Sequence, residues 1–211
     1  MPKKHLEDSL NYIKQIGDFC VEREKNDRCR ALFYISSSFE STAVLFQLLL
    51  DRLDTLEFKM PGESIKIDPC EQIKNLIADQ SKFIFIITMS SLEFTAKKIS
   101  LQDGLPIKNL LGKKKNVYLR DIVRVSSEKQ LGLITFEEKK EWDFFIDIRN
   151  KLVHNNAIPD KKDLCCEVYG ISYSFEKGKE ITANIQSLFI FSKRAVDLFY
   201  NWSQKHEKYK T

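Results

Sequence analysis

The residues best suited to chemistry in this chain are Arg149 and His154, which stand five positions apart in one apolar stretch. An arginine side chain is a permanent cation whose planar fork of N–H donors can hold a phosphate. A histidine side chain can take up or release a proton near neutral pH. The other two histidines, His5 and His206, lie near the chain ends in polar surroundings, so we expect only His154 to belong to a core-forming element. Together, the arginine and the histidine could cut an RNA backbone without a metal ion.

The helical pattern around this pair places Arg149 within the apolar face of its helix. On a wheel of about 100° per residue, Arg149 lies one turn after the apolar Ile146. A charged side chain in such a stripe is costly unless it is paired or faces a cleft. Two interpretations therefore stay open. Arg149 lies at the edge of a cleft between helices or subunits, or it snorkels or pairs internally with Glu93 or Asp147. His154 could likewise serve only to stabilise the C-terminus of its helix.

The run that joins these residues resembles the signature of the HEPN superfamily, an arginine followed by four to six residues and then a histidine. Here the spacing is four, and the polar Asn150 follows the arginine, as is usual in the family. Residues 144–155 resemble the motif-bearing helix of the family over their whole length, and residues 88–94 resemble its first core helix. The resemblance covers about residues 80–205, whereas the first 75 residues resemble no known family.

The resemblance implies a mainly α-helical homodimer whose composite site lies at the two-fold axis, and many family members are metal-independent endoribonucleases. Carried over to this chain, His154 would activate the ribose 2′-hydroxyl or protonate the leaving 5′-oxygen. Arg149 would hold the scissile phosphate and stabilise its developing charge. Asn150 would orient the phosphate or the histidine, and Glu93 would orient the arginine or serve only as its salt-bridge partner. Asn155 would add a polar group beside the histidine or belong to a cap or loop.

The same resemblance implies partners and a biological setting. We expect RNA as the substrate, a second copy of the chain as the partner, and a role as a toxin or phage-defence effector. A nucleotidyltransferase-type antitoxin would be a further partner. Two rival hypotheses remain. A non-catalytic HEPN-like module that binds RNA, nucleotide or a protein needs the same cation, so the motif does not separate it from an enzyme. A purely structural dimerisation protein is the third hypothesis.

The bulk composition is that of a soluble globular protein. Of the 211 residues, 43% are hydrophobic and 30% are charged, and the net charge is +4. This charge is compatible with nucleic acid but is equally typical of a solvated surface. The basic residues that could follow an RNA backbone are Lys113, Lys114 and Lys115 in a predicted loop and Lys151 within the motif. Solvated loop charges explain the three loop lysines as well.

The sequence favours a cytoplasmic protein without a cofactor, a metal site or a membrane segment. The start of the chain has no apolar signal segment, and the longest apolar runs are too short to cross a membrane. The five cysteines are odd in number and form no CxxC pair, so we expect free thiols in a reducing compartment. No His, Cys, Asp and Glu residues have the spacing of a metal site, and no glycine-rich phosphate loop occurs.

The elements that position the motif are predicted to be mainly helical, because glycine and proline are scarce and apolar residues recur with a 3.6-residue period. We predict an N-terminal helical hairpin or extension over residues 1–68, with a linker at 59–68. A HEPN-like helical bundle is predicted over residues 69–211. Its first helix is expected at residues 69–100, followed by a loop marked by glycine and proline at 104–112.

Two local signals bracket the motif helix. Thr135 and Glu138 have the spacing of a capping box, in which each residue satisfies the other's backbone N–H, so we predict a helix start there. The helix is expected to end near residues 155–156, before a proline. A small β-hairpin is then predicted at about residues 164–182, with its turn at 176–179.

Overall fold

The structure is a computed structural model that describes residues 2–23, 30–52, 69–102, 105–112, 114, 116–154, 157–159, 161–181 and 186–207. Within these ranges the chain forms seven helices and one antiparallel pair of strands. The mainly α-helical fold with a small β-hairpin, predicted from the periodicity of the sequence, is confirmed.

The elements follow one another in a simple order. The helices are α1 (Pro2–Arg23), α2 (Arg30–Asp51), α3 (Pro69–Ser100), α4 (Pro106–Leu111), α5 (Leu119–Ser126), α6 (Phe136–His154) and α7 (Ser187–Glu207). The strands are β1 (Leu164–Val168) and β2 (Ile171–Phe175). Helix α3 has the bounds expected from the sequence, whereas the predicted linker at 59–68 lies outside the described residues.

The first two helices form a hairpin that packs on the rest of the protein. Helices α1 and α2 lie along each other. The connection from Arg23 to Arg30 can span only about 24 Å, less than the roughly 33 Å length of either helix, so the two helices run antiparallel. On the other side, Tyr12 of α1 contacts Phe189 of α7, with ring centroids 6.5 Å apart. One hydrophobic core therefore runs through both the N-terminal hairpin and the motif-bearing part.

Helix α6, which carries the motif, is fixed by aromatic packing on several sides. Phe145 lies 6.4 Å from Phe85 of α3 and 5.6 Å from Phe191 of α7, measured between ring centroids. Ile148, one turn later, is fully buried. Helix α6 also contacts α5 and β1. Because three helices and a strand hold α6, the position of the motif residues is set by the core rather than by a loop.

The start of α6 is the predicted capping box. The Glu138 N–H donates to Thr135 Oγ1 at 3.1 Å, and the Thr135 N–H donates to Glu138 Oε2 at 2.7 Å. Both bonds satisfy backbone donors that the first helical turn leaves without partners. The helix ends at His154, and residues 155–156, where the sequence placed its end, lie outside the described residues.

The hairpin has its turn at a different place from the one predicted. The strands join at Tyr169 and Gly170, whose φ angles of 51° and 77° are those of a two-residue turn with both central residues left-handed. Residues 176–179 do form a turn, in which Lys179 N donates to Glu176 O at 3.2 Å, but no paired strand follows it up to residue 181. The prediction failed because a tyrosine occupies the first turn position, where asparagine or glycine would be the usual signal.

Two further expectations are corrected by the fold. The predicted loop at 104–112 contains the short helix α4, which begins at Pro106 and buries Ile107 and Leu111. Proline suits a first helical position because its φ is already helical and its missing N–H would have no partner there. His206 is not in polar surroundings: it is 1% exposed and lies edge-on to the Trp202 ring at 4.4 Å.

Helix α2 is the one helix among the described residues that could cross a membrane by length and composition, over Leu32–Asp51. A core helix passes the same test, so this finding is weak. Helix α2 packs on α1 and α3 and buries Phe39 and Phe46 completely. About a third of the residues in the most apolar 18-residue stretch of this helix are buried. The exposed side of the helix includes Phe33 and Val44.

Candidate functional site

Arg149 lines a cavity of about 300 Å³ where α3, α5 and α6 meet. We call this cavity the arginine pocket. Its walls include Glu93 from α3, Leu119 and Arg120 from α5, and Arg149 and Asn150 from α6. The pocket brings residues 93, 149 and 150, which the sequence proposed as parts of one site, into a single cleft. It also contains Arg120, which the sequence did not single out.

The Arg149 guanidinium is held by two neighbours. Its Nη2 donates to Glu93 Oε2 at 3.3 Å, and its Nη1 donates to Asn150 Oδ1 at 3.0 Å. The Arg149 side chain is 27% exposed, whereas that of Glu93 is 15% exposed. Arg149 Nε is buried and has no hydrogen-bond partner among the described residues. Both interpretations of the sequence therefore apply: the arginine is paired internally, and it faces a cleft.

The Glu93 carboxylate contacts donor groups from three helices, α3, α5 and α6. Besides Arg149, its carboxylate pairs with Lys97 Nζ at 3.0 Å and accepts a hydrogen bond from Leu119 N at 3.4 Å. Leu119 is the first residue of α5, where the partial positive charge of a helix N-terminus favours an anion. Lys97 could have been found from the sequence, because Glu and Lys four residues apart on a helix commonly pair.

Asp147, the other candidate partner of Arg149, is engaged elsewhere. It accepts a hydrogen bond from Arg120 Nη2 at 2.6 Å. Arg120 Nε also lies 3.8 Å from Asp143. No sequence signal links Arg120 to this site, because the contact joins positions far apart in the chain.

Of the predicted basic loop, only Lys114 lies within the described residues. Its Nζ is 2.6 Å from Asp121 Oδ1, and Asp121 Oδ2 accepts a hydrogen bond from Tyr118 N at 3.2 Å. The hydrogen bond from Lys114 holds the pKa of Asp121 below its usual value. Lys114 therefore helps to fix the start of α5. Lys113 and Lys115 lie outside the described residues, so their role in RNA binding stays a prediction.

His154 does not line the arginine pocket. It is the last residue of α6, and its side chain is exposed. It follows Asn150 by four positions, a spacing at which helix side chains are neighbours about 5–6 Å apart at Cβ. His154 therefore lies one turn beyond the edge of the pocket, on the side of Asn150. Lys151 is half-buried, and Asn155 lies outside the described residues.

Large apolar side chains are exposed on, or directly before, each helix that forms the pocket. Phe94 of α3 is 69% exposed, Tyr118 before α5 is 58% exposed, and Val153 of α6 is 46% exposed. Phe94 follows Glu93 directly, and Val153 directly precedes His154. Exposed apolar groups around a polar cleft are typical of surfaces that associate with another protein.

A separate groove of about 1070 Å³ lies between α6 and the hairpin. Its lining contains a partly buried ion pair in which Arg194 donates to both Glu141 oxygens, at 2.6 and 2.7 Å. The groove is lined by six acidic and three basic side chains: Glu137, Glu141, Asp143, Asp147, Asp163 and Glu167, against Lys140, Lys162 and Arg194. This excess of carboxylates repels a phosphate backbone, so the groove suits RNA less well than the arginine pocket does.

The described residues contain no group of three or more His, Cys, Asp and Glu side chains that could hold a metal ion. Comparison of the chain with known protein families, with curated proteins and with solved structures finds no match. The assignment to the HEPN superfamily therefore stays a prediction from the residues of the motif.

Proposed function

We propose that this chain is a HEPN-type endoribonuclease that cleaves RNA as a homodimer without a metal ion. The observation that carries the proposal is the arginine pocket, in which Arg149 and Asn150 face a cleft one helical turn from the exposed His154. The cleft offers a fixed cation for a phosphate, and the histidine offers a proton acceptor nearby. The proposal includes a cytoplasmic role as a toxin or phage-defence effector, with a nucleotidyltransferase-type antitoxin as a partner.

The proposed reaction needs no group beyond the substrate and these side chains. Arg149 binds the scissile phosphate, and His154 takes the proton from the adjacent ribose 2′-hydroxyl. The 2′-oxygen attacks phosphorus, the bond to the 5′-oxygen breaks, and His154 of the partner subunit supplies the proton that this oxygen needs. The products are a 2′,3′-cyclic phosphate and a free 5′-hydroxyl. Arg149 stabilises the charge that develops on the phosphate oxygens.

The exposed position of His154 supports a composite site. A histidine at the open end of α6 reaches only one side of a phosphate bound near Arg149. A two-fold axis close to the end of α6 would bring a second copy of the same histidine to the other side. The exposed Phe94 and Val153 on the surrounding helices supply apolar surface for such a contact.

A second candidate is a non-catalytic module of the same fold that binds RNA, nucleotide or a protein. The observation that favours it is the pairing of Arg149 with Glu93 and Asn150, which leaves the guanidinium partly neutralised. In this alternative the arginine mainly holds α3 and α6 together. The exposed His154 would then have no chemical role.

Incubation of the purified protein with mixed RNAs separates these candidates. The proposed enzyme cleaves RNA, and His154→Ala abolishes cleavage while leaving the melting temperature nearly unchanged, because the side chain is exposed. His5→Ala, a histidine on α1 outside the site, serves as the matched control and should cleave at the wild-type rate. Intact RNA with the wild-type protein would favour the binding module. Cleavage that survives His154→Ala would show that His154 is not part of the chemistry and would contradict the proposed mechanism.

A further inference from the structure

The Glu93 carboxylate lies among three donors of the kinds that bind phosphate in other proteins. Its three donors are the guanidinium of Arg149, the ammonium of Lys97 and the first N–H of α5, from Leu119. Arginine, lysine and helix N-termini are also the groups that most often bind phosphate in proteins. The chain therefore places one of its own anions on the donors that the proposed site offers to a substrate.

Two of the three contacts that hold Glu93 are longer than those of a tight ion pair. Its distances to Arg149 Nη2 and Leu119 N are 3.3 and 3.4 Å. The partly buried pair of Glu141 and Arg194, by contrast, has two hydrogen bonds of 2.6 and 2.7 Å. Charge-assisted hydrogen bonds between nitrogen and oxygen are usually about 2.7–2.9 Å. Glu93 is thus held by several donors, two of them at distances that a better-fitting anion could shorten.

The pocket has the room that an exchange of anions requires, and Arg149 keeps one unused donor beside it. The cavity of about 300 Å³ lies directly beside Glu93 and Arg149. Arg149 Nε is buried without a hydrogen-bond partner among the described residues, so the pairing with Glu93 leaves one guanidinium donor unused. Arg120 lines the same cavity as a second cation. A phosphate could engage more of these donors than the single carboxylate does.

We propose that Glu93 is an inhibitory counter-ion, an internal competitor that a phosphate must displace from Arg149 and from the N-terminus of α5. This inference rests on the proposed function, because it deepens the role of the same arginine. Glu93 holds the arginine in place in the absence of substrate and lowers the affinity of the pocket for anions. The competing possibility is that Glu93 only positions Arg149, and in that case its removal weakens anion binding.

The test is calorimetric titration of pyrophosphate into the wild-type protein and into Glu93→Gln, which keeps the shape of the side chain and removes its charge. We expect the variant to bind pyrophosphate at least about fivefold more tightly, since a like charge near 4 Å costs that much even with the screening of bulk water. Asp79→Asn is the matched control: it makes the same charge change on an exposed side chain of α3, roughly 21 Å along the helix. This control should bind pyrophosphate as the wild type does.

Two further variants locate the effect and guard against misfolding. Arg149→Lys in the Glu93→Gln background should remove the gain, because the freed cation is the arginine fork. Glu93→Asp, which withdraws the carboxylate from Arg149 by one methylene, should show a smaller gain of the same sign. Unchanged or weaker pyrophosphate binding in Glu93→Gln, or no binding by any variant, overturns the proposal. Loss of the folded state in both Glu93 variants, seen by circular dichroism, also overturns it, because Glu93 is then a structural counter-ion.

The pyrophosphate titration is independent of RNA cleavage, so the two proposals fail separately. Tighter binding by Glu93→Gln in a protein that leaves RNA intact would support the counter-ion and reject the ribonuclease. RNA cleavage by the wild type with no gain for Glu93→Gln would keep the ribonuclease and reject the counter-ion.

Discussion

At the scale of single residues, the planar fork of Arg149 matters more than its charge. The guanidinium already serves Glu93 through one nitrogen and Asn150 through another, and a lysine ammonium could not reach both in the same geometry. A substrate phosphate would add a further demand on the same fork. Arg149 can therefore donate hydrogen bonds to several acceptors at once, and its role in the site depends on which acceptors it binds.

We expect Arg149→Lys to reduce the initial rate of RNA cleavage on the order of 100-fold, as the loss of one positioned donor to a transition-state oxygen does. The variant should remain folded, because lysine still gives Glu93 a cationic partner. Arg124→Lys is the control and should cleave at the wild-type rate. Arg124 is an exposed residue of α5 that pairs with Glu128, which follows the helix. Wild-type activity in Arg149→Lys would show that the fork is not used on the substrate.

The sequence could identify the motif residues but not all of their neighbours. Arg149 and Asn150 were found from a local pattern, and Lys97 could have been found from its spacing to Glu93. Arg120 could not, because it reaches the pocket only through the packing of α5 on α6. His206 was misjudged because the polar residues around it in sequence conceal that it follows the buried Trp202 by one helical turn.

At the scale of elements, the apolar face of α6 is buried along most of the helix, whereas its C-terminal end is exposed to solvent. Ile148 is fully buried, but Leu152, one turn later, is only partly buried, and Val153 is 46% exposed. The helix therefore passes from the core to the surface within its last two turns. The arginine and the histidine lie on either side of this transition.

We expect Ile148→Ala to lower the free energy of unfolding by about 2–5 kcal/mol, as the loss of a buried aliphatic side chain does. The sequence places Leu152 on the same face and predicts a similar loss for Leu152→Ala. Because the structure buries this side chain only partly, the loss should be smaller than for Ile148→Ala. Denaturant melts of both variants measure the difference. An equal or larger loss for Leu152→Ala would mean that the end of α6 is covered, as a dimer contact would cover it.

The start of α5 should be sensitive to pH. The hydrogen bond from Lys114 holds the pKa of Asp121 below its ordinary value of 3.8. A carboxyl whose pKa is lower in the folded state stabilises the fold at neutral pH, and this contribution disappears as the pH falls from the ordinary value through the folded one. The difference in stability between the wild type and Asp121→Asn should therefore shrink below about pH 4. A difference that stays constant from neutral pH to about pH 2 would show that Asp121 makes no charge-dependent contribution.

Short sequence patterns predict where helices begin better than they predict how the strands of the hairpin pair. The capping box of α6 and Pro69, the first residue of α3, mark helix starts through local effects, so they are readable from the sequence. The register of the hairpin depends on Tyr169, which adopts a left-handed conformation that tyrosine disfavours. Its hydroxyl donates to Asp197 on α7, and the Arg194 guanidinium lies 5.4 Å from its ring. Contacts with a distant helix therefore hold the turn, and no local pattern reports them.

At the scale of the whole molecule, the periodicity of the sequence predicts the helices, but it does not predict that the N-terminal hairpin and the motif-bearing helices share one hydrophobic core. The N-terminal hairpin packs against α7 through Tyr12 and Phe189, although the sequence separates it as an extension. How helices associate is set by the shapes of their faces, which periodicity does not encode. The same limit applies to the proposed dimer.

We expect light scattering at high micromolar concentration to give twice the 24.7 kDa mass of the chain. The physical reason is that a single copy leaves His154 exposed and places it on one side of the pocket only. Phe94→Glu and Val153→Glu would each add a charge to the apolar surface beside the site and should shift the protein toward the monomer. Phe33→Glu on α2 is the control for a charge added elsewhere. A monomer at this concentration would contradict the composite site.

The most direct measurement of the central claim is cleavage of RNA in excess EDTA, with an all-deoxy strand of the same sequence alongside. If Arg149 supplies the positive charge and the ribose 2′-hydroxyl is the nucleophile, RNA is cut at an undiminished rate and its 5′ fragments end in a 2′,3′-cyclic phosphate. The deoxy strand stays intact because it lacks the attacking group. Loss of cleavage in EDTA that magnesium or manganese restores, or equal cutting of the deoxy strand, would contradict the account.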